Sequence, residues 1–340
     1  SRICSPGMTC PTTSPSRLLG TCITISHEAR GLSLDIRPAT PTDLPEILDV
    51  LRAALGEPPG LRRTESLWNW KHVDNPFGES IVLVAESGGR IAGVRAFMRW
   101  ELLTPQDETV RCVRAVDTAT HPDFHRQGIF RKLTEAAVEE ARADGVHLIF
   151  NTPNDRSGAG YLKMGWAPVG PIRVMVSPSW RALPRTPETD SPLIDAAAGG
   201  PTGVVPDRQP MGLRTPRTAE YLHWRFSAHP TARYRTVTSG DSWVVLRENR
   251  RFDRSELVVS ELLGPHPAGP LRDARRRSRA AYLIGSFHPS TPERRAALRA
   301  GLIPVPRVQA MQLVARPLVD IGPVTDIDAW DLTLGDLELL

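Results

Sequence analysis

The stretch Thr120-His-Pro-Asp-Phe-His-Arg-Gln-Gly-Ile-Phe-Arg-Lys-Leu133 joins two segments of different period. Before it, VRCVRAVDTAT (110–120) reads as a strand; after it, GIFRKLTEAAVEEARADG (128–145) places its apolar residues at helical spacing. A strand that turns sharply into a helix leaves the first N–H groups of that helix without partners, and their partial positive charge suits a pyrophosphate. Gly128 lets the backbone approach such a group with no Cβ in the way.

Outward from this turn the chain stays regular. LDIRPAT (34–40) reads as a strand, and Thr42 with Asp43 opens the helix DLPEILDVLRAAL (43–55), whose Leu44, Ile47, Leu48 and Leu51 share one face. IVLVAE (81–86) and RIAGVRAFMRWELL (90–103) are strands joined at Ser87-Gly88-Gly89, a hairpin signal. Downstream, VHLIFNTP (146–153) is an apolar strand ended by Pro153, SGAGYLKMGW (157–166) a short helix closed by Gly165, and APVGPIRVMV (167–176) a last strand. The alternation of strands and helices implies a mixed α/β fold.

The second half repeats the first. Arg63, Thr64, Trp70, Lys71 and Pro76 match Arg217, Thr218, Trp224, Arg225 and Pro230 at identical spacings. Pro153, Leu162, Lys163, Gly165 and Pro168 match Pro289, Leu298, Arg299, Gly301 and Pro304 in the same order, which argues for a duplicated fold. The expected organisation is a flexible segment 1–33 in which Met8 could be the true start, a first domain 34–177, a Pro-, Thr- and Ser-rich linker 178–210, a second domain 211–317 and an acidic tail 318–340. Trp68, Trp70 and Trp166 are candidates for the acceptor or acyl pocket, although their repeat partners Leu222, Trp224 and Leu302 favour a core role.

The segment around Gly128 resembles the Q/R-x-x-G-x-G/A motif of the GNAT acetyltransferase superfamily, with His125 in the first position and Phe130 in the last, both departures from the common form. Asn154, Ser157, Tyr161, Lys163, Gly165 and Trp166 fit the family's N-x-x-S/A-x-x-x-Y-x-K-x-G-F pattern, with Trp for the final Phe. The resemblance implies tandem GNAT folds, the second degenerate, because that copy lacks a comparable glycine turn and carries Ala297 where the first has Tyr161. The second copy is then expected not to bind CoA and to form one wall of the acceptor cleft.

The resemblance further implies transfer of an acyl group from acyl-CoA to an amine by direct attack. The donor would be held by His125, Arg126, Gln127, Gly128, Ile129 and Phe130 in the turn and by Asn154 and Ser157, with the oxyanion contact near Ala119 and Thr120. Tyr161 stands at the family position for the phenol that protonates the departing thiolate. Asp117, an acid in an apolar run whose pKa burial could raise, and His121 on the same strand face are candidates for the base, or Asp117 could simply tie down a loop. The expected partners are acyl-CoA and a small-molecule amine, with no metal. The two-copy form with an acidic tail resembles enzymes that acylate secondary metabolites, including the amino sugar of lipoglycopeptide antibiotics. FemAB-like transferases using aminoacyl-tRNA are a competing resemblance, against which the Gly128 turn argues. A CoA-binding protein without catalysis is another reading, marked by CoA binding with no thiol release.

Composition narrows the field. A net charge of +4 over 340 residues is a small excess, and the densest basic run, Arg272 to Arg279, has helical character without interleaved aromatics, so no nucleic-acid partner is expected. Cys4, Cys10, Cys22 and Cys112 form no disulfide framework, which implies a reducing compartment. No apolar run is long enough to span a membrane and no signal-peptide pattern opens the chain, so a cytoplasmic protein is expected. The tail carries Asp320, Asp326, Asp328, Asp331, Asp336 and Glu338 with no Lys or Arg beyond Arg316, and Trp330, Leu332, Leu334, Leu337 and Leu339 as apolar anchors. It is expected to include a short strand at Leu332–Leu334 and to close over the acceptor side of the cleft, its carboxylates receiving a cationic amine.

Overall fold

Alternating apolar residues build a first sheet from β1 (Leu34–Pro38), β2 (Ile81–Ser87), β3 (Arg90–Leu103), β4 (Thr109–Thr120), β5 (Leu148–Asn151) and β6 (Ala167–Pro171). This computed structural model describes residues 34–57, 62–178, 194–195, 211–251, 254–305 and 311–338. The expected N-terminal segment and most of the expected linker lie outside the described residues.

Helix α1 (Leu44–Leu55) lays Ile47, Val50 and Leu51 against Val84, Val94 and Ala119 on one face of the sheet. Helix α3 (Ile129–Ala143) covers the other face with Ile129, Leu133, Ala137 and Ala141, four residues apart and therefore on one side of the helix. Between α1 and β2 runs α2 (Glu65–His72), started by Thr64, whose Oγ1 accepts the N–H of Leu67 at 3.2 Å. Helix α4 (Asp155–Lys163) follows β5.

The expected single strand 167–176 is two strands in different sheets. β7 (Val174–Pro178) leaves the first sheet and pairs antiparallel with β12 (Tyr282–Ser286) and β13 (Ile303–Pro304). Its place is taken by β14 (Gln312–Pro317), which lies between β5 and β6 and pairs with both. The second sheet is completed by β8 (Ile194–Asp195), β9 (Tyr234–Ser239), β10 (Ser242–Arg251) and β11 (Arg254–Leu263), so each seven-stranded sheet contains one strand from the other half of the chain. Ile172-Arg173 is the break at which the chain crosses from one sheet to the other.

The duplicated elements meet at their matched positions. Thr218 caps the helix Ala219–Leu222 by accepting the N–H of Tyr221 at 3.1 Å, as Thr64 does for α2. The Trp70 and Trp224 rings stack at 4.6 Å and 12°, and each indole N–H donates to the other's backbone carbonyl at 2.8 Å. A core cluster joins Met98, Trp100 and Phe150 of the first sheet to Tyr221, Phe226 and Val258 of the second half.

The tail threads between the two sheets. Trp330 packs on Phe150 at 5.5 Å, and the carbonyls of Asp336 and Leu337 accept from the Arg114 guanidinium of β4. The expected strand is instead a short helix, Leu334–Leu337, begun by a capping box between Thr333 and Asp336. Asp331 and Asp336 are fully buried, and Asp336 accepts from Arg217 at 2.8 Å, so neither is available to receive a cationic amine. A carboxylate anchored to an interior guanidinium is part of the core rather than of an open cleft.

Residues 34–177 expressed alone are expected not to fold cooperatively, because β6 joins the first sheet only through β14. Urea unfolding followed by near-ultraviolet circular dichroism checks this; a cooperative transition in the isolated half would refute it.

Candidate active site

β4 and β5 are parallel and pair only over Cys112–Arg114 against Leu148–Phe150. Beyond this β5 ends at Asn151 while β4 runs on to Thr120, so the β5 side of residues 115–120 has no strand partner, an opening in the ladder. The N–H of His121 donates to the Ala92 carbonyl at 2.9 Å across the β3 side. Strand alternation then turns the N–H of Ala119 toward β3 and that of Thr120 toward the opening.

At the end of β4 a turn of 3-10 helix, Pro122–Phe124, leads into α3. Arg126 (φ 66°) and Gly128 (φ 73°) both adopt left-handed backbone, which bends the chain sharply enough to aim the start of α3 at the opening. Among the described residues, no backbone N–H from Arg126 to Arg131 has a hydrogen-bond partner. A Cβ built on Gly128 meets nothing within 4 Å, so the space before these donors is open. His125 Nε2 donates to the Thr120 carbonyl at 3.2 Å and ties the turn to its strand. The Ile129 side chain is buried in the core, which leaves only its backbone to face a ligand. Gln127 is exposed. Asn154 and Ser157 bond each other, with Ser157 N–H and Oγ both 3.0 Å from Asn154 Oδ1, at the start of α4.

Tyr161 lies buried across the opening from this turn, its ring edge-on to Phe130 at 5.6 Å and tilted against Trp166 at 5.1 Å. Its Oη accepts from Arg95 Nη1 at 2.7 Å, and the same Nη1 donates to Thr118 Oγ1 at 2.6 Å. Arg95 is wholly buried over the Phe97 ring at 4.7 Å, and its Nε and Nη2 have no partner.

A β-bulge lies opposite Arg95, where the β3–β4 register shifts between Val94 and Ala96. Here Asp117 takes φ 39°, unusual for a residue with a side chain, and points to the α2 face while Thr118 points to the α3 face. Asp117 Oδ2 accepts from Lys71 Nζ at 2.9 Å and His72 Nε2 at 3.2 Å, and Oδ1 from Arg63 at 3.2 Å. Burial alone would push the carboxyl up, but the Lys71 charge and the His72 hydrogen bond hold it well below the usual carboxylate range. Asp117 is thus a fixed anion, and the expectation that burial raises it toward a base's range is corrected. Burial pushes the His72 pKa below its ordinary value against the pull of Asp117, so the ring is neutral, with Nε2–H assigned toward Asp117 and Nδ1 accepting from Ser80 Oγ at 2.9 Å.

His121 is not oriented by Asp117. Four residues along a strand span about 13 Å, beyond hydrogen-bond reach even on a shared face. His121 Nδ1 instead accepts the Asp123 N–H at 3.3 Å, which makes the ring a cap of the turn. Arg95, Thr118, Lys71, His72 and Ser80 were not singled out for chemistry by the sequence reading. The available signal was the single cation Arg95 within the apolar run Ile91–Met98.

Among the described residues the second copy has no counterpart of the open turn. A Cβ at Gly264, after β11, would stand 2.0 Å from the Asp241 carbonyl of the β9–β10 hairpin. A separate open cleft of about 640 Å³ lies where the copies meet, lined by Asn69 and Trp70 of α2 and by His223 and Trp224. None of Asp117, the turn or Tyr161 lines it, so it is distinct from the candidate site. Among the described residues no group of three His, Cys, Asp or Glu could hold a metal, and no helix is long and apolar enough to cross a membrane.

Residues 35–169 match the family model described as an acetyltransferase (GNAT) domain. Among solved structures, a GCN5-related N-acetyltransferase from Kribbella flavida is similar at 14% identity and TM-score 0.55, over 84% of this chain and 71% of that one. One from Anabaena variabilis is similar at 13% identity and TM-score 0.57, over 84% and 73%. Eis1 from Mycobacterium abscessus is similar at 14% identity and TM-score 0.53, over 84% and 73%. At these identities the likeness is one of fold. No curated protein sequence matches the chain.

Asp117→Asn is expected to destabilise the protein by about 3 kcal/mol at neutral pH, since it leaves the interior Lys71 cation without its anion. Because the folded pKa of Asp117 is depressed, its stabilisation is complete above about pH 4 and is lost as pH falls, so the gap to the variant should narrow in acid. His72, also depressed, adds a loss that begins as pH falls below about 6.5 in both proteins. Urea melts across pH check both; equal stability at neutral pH would show that the pairing contributes nothing.

Proposed function

We propose that the chain, whose residues 35–169 match the GNAT acetyltransferase domain, transfers an acyl group from acyl-CoA to a primary amine of a small molecule. The observation that carries this reading is the run of unpartnered N–H groups from Arg126 to Arg131, opening on free space beside the gap between β4 and β5. Six peptide donors at a helix start form a seat for the CoA pyrophosphate, and the parted strands leave room for the pantetheine arm.

With the thioester in that gap, the Thr120 N–H is placed to take the charge that develops on the acyl oxygen as the amine attacks. Tyr161 Oη–H is the acid for the departing thiolate, since its oxygen already accepts from Arg95 and its hydrogen is directed elsewhere. Asp117 anchors the bulge through Arg63, Lys71 and His72, and His121 caps the turn, so neither is assigned as base. The second copy supports the first through the shared core and holds no donor of its own.

Gly128→Glu is expected to abolish CoA binding in calorimetry by steric block and repulsion of the pyrophosphate; unchanged affinity would remove the assignment of the turn. Tyr161→Phe should lower kcat on the order of 100-fold with acyl-CoA affinity preserved, measured by thiol release with an amine panel. A fully active Phe variant would leave Tyr161 a packing residue only.

A further inference from the structure

A guanidinium with zero exposure and no carboxylate is uncommon, because a desolvated charge is costly without a counter-ion. Arg95 is such a group: no ion pair of its side chain is found among the described residues, and Nε and Nη2 lack any partner. Its surroundings are aromatic, with Phe97 at 4.7 Å, Tyr161 at 5.2 Å and Phe130 at 5.8 Å from the guanidinium carbon. Phe130 is the residue that replaces the small amino acid expected at the last position of the turn motif, so the departure from that motif closes one side of the box around the cation.

We propose that Arg95 is a positioning residue for departure of the CoA thiolate. This rests on the reading of the domain as a CoA-dependent transferase. Arg95 Nη1 donates to Tyr161 Oη, so the phenol oxygen accepts on that side and its own hydrogen must lie on another. We take that hydrogen to face the β5 side of β4, which has no strand partner past Arg114. The second bond from the same nitrogen, to Thr118 Oγ1, fixes the guanidinium against the bulge, so the acid on α4 and the oxyanion strand are held in one register. The cation, lacking an anion of its own, favours negative charge appearing on the far side of the phenol.

In the step this implies, the carbon–sulfur bond breaks and its electron pair goes to sulfur. The Tyr161 Oη proton moves to that sulfur, leaving a phenolate beside Arg95. The proton released by the attacking amine passes to solvent, from which Tyr161 is reprotonated, so charge and protons balance. Phe97, Thr118, Phe130 and Trp166 contact the pair from β3, β4, α3 and the end of α4, and none carries an ionisable carboxyl or imidazole.

The test uses the full chain and CoA itself, following thiolate ultraviolet absorbance of bound CoA against pH. The bound thiol should ionise at least about one pH unit below free CoA titrated under the same conditions. Arg95→Gln should abolish that shift and Arg95→Lys should retain part of it, with the CoA dissociation constant within about threefold of the parent and kcat lowered about tenfold or more. A role in packing alone would not move the titration of the ligand. The proposal is overturned if CoA bound to the unaltered protein ionises no lower than free CoA, a result that needs no variant to fold, or if Arg95→Gln leaves the titration unchanged. Absence of CoA binding in calorimetry removes the transferase reading and this proposal with it. A lowered thiol titration without acylation of any amine would remove the transferase reading and leave the role of Arg95 standing.

Discussion

Backbone hydrogen bonding binds the two halves of this chain into one folding unit. β6 reaches its sheet only across β14, and β7 fills the equivalent place in the other sheet, so neither sheet can be completed until both halves are present. Each exchanged strand satisfies ladder groups that would otherwise be buried without partners. The Trp70 and Trp224 pair fixes the same junction at side-chain level: each buried indole N–H finds its acceptor only in the other copy. These contacts are distant in sequence, which ties late assembly of the sheets to a high cost in loop closure.

The bulge in β4 is the point where this scaffold becomes chemistry. Two adjacent side chains leave it toward opposite faces, and each is held by basic side chains: Asp117 by the cations Lys71 and Arg63 and the neutral His72 ring, and Thr118 by the buried cation Arg95. A non-glycine residue at φ 39° persists only when its neighbours over-determine it. The clamp therefore accounts for the strain, and it fixes where the Thr120 N–H lies beside the opening.

The second copy shows what the same elements do when the site is not needed. Arg217 and Arg225, the repeat mates of Arg63 and Lys71, are likewise bonded inside their half. Their partners there are Glu261 and the tail, through Asp336 and the Gly335 carbonyl. Cations that surround an active-site strand in one copy serve in the other to bury the chain's last described turn. Of the tail's acids, Asp336 takes part in that packing, while Asp320, Asp326 and Asp328 stay exposed.

Much of the first domain was legible because its signals are local. Strand alternation, helical spacing in α1 and α3 and the glycine turn at residue 128 all act over a few residues, and the repeat was visible because matched helices keep matched spacings. The sequence could place Asp117 near the site but not set its ionisation, since that depends on two cations and a neutral histidine from α2 and the segment before it, 45 to 54 residues away. It could mark Arg95 only as a charge in an apolar strand. By itself, then, the sequence determined the type and order of the elements and the turn that receives the donor, because those follow from short-range periodicity and backbone sterics. Only the tertiary structure decided which strands exchange sheets, which carboxylate is held as an anion and which arginine stands behind Tyr161, because pairing register and desolvated charge are set by groups that meet only when the chain is folded.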